Sequence, residues 1–128
     1  MDYILLYSFG LILTLSIIGY GFLLSRIVNK ELLNYNLGYQ GLLGIFFLTI
    51  ISYTTIFFVK HGYFHNIIIH AIGLTSFLYF FKKNTSFYKL GRLISILSIL
   101  FIGILILVNH DDFSYYHLTY SLGLTEDK

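Results

Sequence analysis

The chain has no cysteine, no proline, no tryptophan and a single alanine, Ala71. Without cysteine there is no disulfide framework and no thiolate metal site. Without proline, no apolar stretch carries an obligate helix break. Charge is scarce as well. Only 11% of the 128 residues are charged, against about 25% in a soluble domain. The eight Lys and Arg residues are scattered and the formal net charge is +2, so a nucleic-acid footprint is excluded. The 20% aromatic content excludes disorder.

What is abundant is apolar. Hydrophobic residues make up 57% of the chain, and mean hydropathy is +0.80. A small soluble domain leaves too much of its surface in water to hide this share. A bilayer core takes about 20 apolar residues as helix. Four runs meet that length: 3–24, 38–59, 63–81 and 90–108. None alternates with the period of a barrel strand. The sequence therefore predicts an all-α membrane protein with four transmembrane helices. The first run follows Met1-Asp2-Tyr3, without the basic start, short apolar core or small-residue cleavage site of a signal peptide. It reads as a retained anchor.

Orientation follows from the basic residues. Arg26, Lys30, Lys82, Lys83, Lys89 and Arg92 fall on one side, and Lys60 and Lys128 on the other. Six against two puts both termini outside the cytoplasm, with a bacterial inner membrane as the expected location. Tyr3, Tyr7, Phe57, Phe58, Tyr63 and Phe64 then sit at the outer interface. Tyr35, Tyr39, Tyr79, Phe80 and Phe81 sit at the inner one. Both groups are the aromatic belts expected at membrane boundaries.

In lipid, helices associate through close packing over small residues. Gly38, Gly41 and Gly44 of the second run, Gly10, Thr14, Gly19 and Gly21 of the first, and Ser95, Ser98 and Gly103 of the fourth are the expected contact points. The glycine series 38–44 lacks the following Lys-Ser/Thr of a phosphate-binding loop. The expected partners are the bilayer and neighbouring membrane helices, of this chain or of another.

Five histidines stand out: His61, His65, His70, His110 and His117. His61 and His65, four apart, share a helix face. Together with His110, Asp111 and Asp112 they present a divalent-metal chemistry. The plainer reading is a set of amphipathic side chains at a wet interface. His70 lies deeper, where an ionisable residue is a functional candidate. Its plainer role is a hydrogen bond to a serine or carbonyl of a neighbouring helix.

Beyond the fourth run the pattern changes. Phe113, Tyr116, His117, Tyr120 and Leu124 form a helical stripe. Asp111 or Asp112 suits the N-cap and Gly123 the end. A short amphipathic surface helix is expected over about 112–122. Two adjacent carboxylates there suit general-base work, since their repulsion raises one proton affinity. They equally suit a helix cap.

The stretch Asp111-Asp112-Phe113-Ser114-Tyr115-Tyr116-His117-Leu118, directly after an apolar helix, resembles the first outer loop of GT-C-type membrane glycosyltransferases. It is also similar to loops of related uncharacterised bacterial membrane proteins. The resemblance covers residues 109–124. It implies transfer of a sugar from a polyprenyl-phosphate donor at the outer face of the cell envelope. Asp111 and Asp112 would be the catalytic pair, with a divalent metal in some members. Tyr115, Tyr116 and His117 would border the substrate. Such enzymes have about twice as many spanning helices. The resemblance therefore implies the N-terminal portion of a longer protein, inactive as these 128 residues alone. The alternative is a complete small four-helix protein acting as a non-enzymatic accessory or interaction subunit.

Overall fold

The computed structural model describes residues 3–106. The expected surface helix and its acidic cap lie outside them. The described residues are all-α, and four of the helices are long and apolar enough to cross a membrane. The chain divides after Leu97. Residues up to Leu97 form the bundle described below, and from Ser98 the last helix belongs to a separate unit.

Helix α1 spans Tyr3–Val28. With no proline or polar break, its 26 residues reach about 39 Å at 1.5 Å per residue. The following turn is built by two asparagines. Asn29 Oδ1 accepts from the Glu31 amide (2.9 Å) and opens the short 3-10 helix Lys30–Asn34. Asn36 Oδ1 accepts from the Tyr39 amide (2.8 Å) and caps α2, Leu37–Thr55. Such caps satisfy amides that a helix start leaves orphaned. Residues 30–34 fall between the first two apolar runs. The second run extends to Val59 in the sequence, but the amides of Phe58 and Val59 turn back onto the Thr55 carbonyl (3.0 and 2.8 Å).

Helix α3, Tyr63–Asn84, follows a short hairpin loop. Its last turn carries Lys82 and Lys83, cations placed where the helix dipole is negative. Helix α4 spans Phe87–Ile106.

Helix α1 is the axis of the bundle, with α2 packed along one side and α3 along the other. The pairings Ile17–Gly44 and Gly21–Gln40 make α1 and α2 antiparallel. The pairings Ser16–Gly73 and Gly19–Phe77 make α1 and α3 parallel. The apolar core lies toward the asparagine-capped end and consists of Ile18, Phe22, Leu33, Leu37, Phe77 and Phe80. Phe22 meets the rings of Phe77 and Phe80 at 6.4 and 5.9 Å, the range of favourable aromatic pairs. Leu90 and Leu93 of α4 lean on this core. Elsewhere large apolar side chains face outward: Phe57, Phe58, Tyr63 and Phe64 at the α2–α3 hairpin, and Leu42, Ile45 and Phe46 along α2. A lipid-facing surface accounts for them, since a spanning helix satisfies its own backbone groups and turns apolar side chains to the hydrocarbon.

Small residues set the closest approaches. A Cβ on Gly19 would overlap the Gly73 carbonyl, one on Gly21 the Gln40 carbonyl, and one on Gly44 the Ile17 carbonyl. Gly73, absent from the expected contact points, faces the Ser16 hydroxyl and the Tyr20 ring. Gly10 and Gly103, both expected contacts, have no neighbour within 4 Å of such a Cβ. Gly41 reaches only Ile18, at 3.9 Å. Backbones this close are a recognised glue of membrane helices.

Candidate functional site

Two polar clusters lie along α1. The first locks the asparagine-capped end. Gln40 is fully buried. Its Oε1 accepts from Ser25 Oγ (2.8 Å), and its Nε2 donates to the Leu32 carbonyl (2.6 Å). One side chain thus ties α1, the 3-10 turn and α2. The second cluster joins α1 to α3. Tyr20 donates to the Ile69 carbonyl (2.8 Å). Ser16 Oγ lies 3.2 Å from His70 Nδ1 and 3.3 Å from the His70 carbonyl. A single hydroxyl proton serves both contacts only if Ser16 donates to the carbonyl and Nδ1–H donates to Ser16. His70 therefore has the structural partner that the plainer reading expected, a serine on a neighbouring helix.

The open site is elsewhere. Between α1, α2 and α3, toward the hairpin, lies a groove of about 330 Å³. Its walls are aliphatic, from Ile17, Ile45, Leu48, Ile51 and Ile69, and its polar lining comes from Thr49, Ser52, His65 and Asn66. This mix of an apolar body with few polar groups is the usual make-up of a small-molecule site. On α1, Ile17 lines the groove beside the close approach of its carbonyl to Gly44, and the rest of the lining comes from α2 and α3.

At that end, His61 and His65 stack with ring centroids 4.4 Å apart and planes 12° apart. Their spacing of four predicted a shared face. The structure makes it a ring stack, not a pair of converging nitrogens. His61 Nε2 is 3.0 Å from Thr55 Oγ1. His65 Nδ1 is 3.4 Å from Asn66 Oδ1. His65 Nε2 is buried and, alone among the described buried side-chain nitrogens and oxygens, has no hydrogen-bond partner.

Among the described residues, no group of three or more His, Cys, Asp or Glu is placed to hold a metal. The expected catalytic pair Asp111 and Asp112, the substrate-side Tyr115, Tyr116 and His117, and His110 lie outside the described residues. Sequence reasoning passed over Gln40, Ser25, Asn66 and Gly73. Gln40 had a readable signal: it is the chain's single glutamine, set in an apolar run four residues before Gly44. The groove had none, because three separate helices contribute its walls.

No family model matches the chain, and no curated protein or solved structure matches it.

Proposed function

We propose that the chain is a membrane-embedded module that binds a lipid-linked substrate, as expected of the N-terminal part of a polyprenyl-phosphate-dependent glycosyltransferase of the cell envelope. The groove carries this reading: an aliphatic trough of about 330 Å³ in the side of an apolar bundle, with its hydrogen-bonding groups gathered on few residues. An isoprenoid chain matches such walls. The basic-residue bias supports outer termini in a bacterial inner membrane, which sets the α2–α3 hairpin on the outer side. Asp111 and Asp112 follow α4 on that same outer side. One would act as general base on the acceptor hydroxyl, and the other would hold the first or a divalent metal.

The test uses the full product of the gene, supplied with a radiolabelled polyprenyl-phosphate sugar. Asp112→Asn is expected to insert normally and lose transfer. Retained transfer removes the catalytic role. Ile45→Trp, which fills the groove, is expected to raise KM for the lipid donor and leave kcat near normal.

The second reading is an accessory subunit without catalysis. It is favoured by α4, whose apolar span has no buried residue and carries Gly91 and Ser95 on exposed positions. Small residues four apart suit a partner helix. A photocrosslinker at Ile94 capturing one defined protein partner supports this reading, and capture of lipid alone counts against it.

A further inference from the structure

We propose that the groove between α1, α2 and α3 binds a long-chain amphiphile by a head group that donates a hydrogen bond, such as an alcohol hydroxyl, to His65 Nε2. The inference rests on the lipid-binding reading of the groove and adds the chemistry of the head.

Counting donors and acceptors leads there. The Thr49 hydroxyl already donates to the Ile45 carbonyl (2.9 Å), so toward the groove it has only lone pairs left. Asn66 Oδ1 can only accept, and it faces His65 Nδ1 at 3.4 Å. That contact places the ring proton on Nδ1. Nε2 of the neutral imidazole is then an acceptor. It is buried without a donor, a state native structures rarely leave unfilled. The neighbouring imidazole does not fill it, since His61 is stacked face to face on His65 and its Nε2 is engaged with Thr55. The lining also holds donors, the Ser52 hydroxyl and the Asn66 amide nitrogen, but at His65 Nε2 it presents a buried acceptor, and the complement of that atom is a donor.

The rest of the occupant follows from the walls. The five aliphatic side chains around the groove offer no hydrogen bond, so the part of an occupant that lies against them is apolar. A metal ion needs several converging ligands, and the described residues provide no such group. An alkyl or isoprenyl chain meets the aliphatic walls. The volume, at the low end for small-molecule sites, holds the head and the first part of the chain, with the remainder in the surrounding lipid.

The experiment compares two probes on the whole protein in lipid nanodiscs: a long-chain alcohol and its methyl ether, each with a diazirine on the chain. One hydrogen bond predicts that the alcohol labels the groove residues of α2 roughly 3- to 10-fold better than the ether. His65→Leu is expected to bring that ratio to one. His65→Gln, which restores a side-chain acceptor, is expected to keep it above one. On the unsubstituted protein, the nitrogen-15 signal of His65 Nε2 is expected to move with the alcohol and stay with the ether. Equal labelling and an unmoved signal overturn the donor-head proposal while the lipid-binding reading stands. Labelling of the groove by neither probe overturns both.

Discussion

The two halves of α1 have similar composition and opposite fates. From Tyr3 to Phe9 the side chains of Tyr3, Ile4, Leu5, Leu6 and Phe9 are exposed. From Ser16 to Ser25 the helix is buried at Ser16, Ile18, Gly19, Tyr20, Gly21, Phe22 and Ser25. Gly10 touches nothing, whereas Gly19 and Gly21 lie against the backbones of two other helices. Ser8 bonds the carbonyl of its own helix, Ile4, at 2.8 Å. Ser16 and Ser25 instead bond across to His70 and Gln40. Apolar content does not separate the halves. In lipid, leucine gains nothing by leaving the hydrocarbon, so close backbones and satisfied polar groups decide which half is packed. Helix α4 extends the contrast: none of its span is buried, against 39% for α1.

Matched substitutions in the two halves test this. The largest effect is expected from Gly19→Leu and Gly44→Leu, which drive a side chain into a neighbouring backbone. Each should cost about 3 kcal/mol, read as a fall in the detergent unfolding midpoint. Gly10→Leu should stay within about 0.5 kcal/mol. Equal losses at positions 10 and 19 would break the comparison. Next comes Gln40→Leu. It strands the Ser25 hydroxyl and the Leu32 carbonyl, and is expected to cost about 1–3 kcal/mol by the same measurement. A neutral result would mean that water enters that end of the bundle. Ser16→Ala is expected to be smaller, about 0.6 kcal/mol, as interhelical hydrogen bonds in membranes average. Its partner substitution Ser8→Ala should leave the midpoint unchanged. The smallest effect is expected at α4. Ser95→Leu removes only a bond to the Gly91 carbonyl of its own helix, and should leave the midpoint of the bundle where it was. A clear drop there would show that α4 packs against a second copy under the assay conditions.

Parts of this were legible beforehand. The four apolar runs gave four helices, because a backbone in lipid has few other ways to satisfy its amides. The spacing of His61 and His65 gave a shared face, and the depth of His70 gave the type of its partner, a serine or carbonyl of a neighbouring helix, without saying which. The glycines were harder. Gly38, Gly41 and Gly44 share a spacing, yet only Gly44 meets a backbone. Periodicity places residues on a face but does not say what stands opposite. Gly73 carried no spacing signal, and its importance comes from Ser16 and Tyr20 on another helix.

The sequence by itself determined the solvent and the secondary structure. With 57% hydrophobic and 11% charged residues and no proline, long helices in a bilayer are the low-cost state. It also supplied the polar side chains that bring chemistry, singling out the histidines by their rarity and depth but not Gln40 or Asn66. Tertiary structure alone decided which of them are spent. His70 is absorbed by Ser16 and Gln40 by Ser25, while His65 keeps a buried lone pair beside an aliphatic groove. Satisfaction of a polar atom is a property of what lies within about 3 Å of it. That distance is bridged by residues some fifty positions apart in the chain, as Ser16 and His70 are.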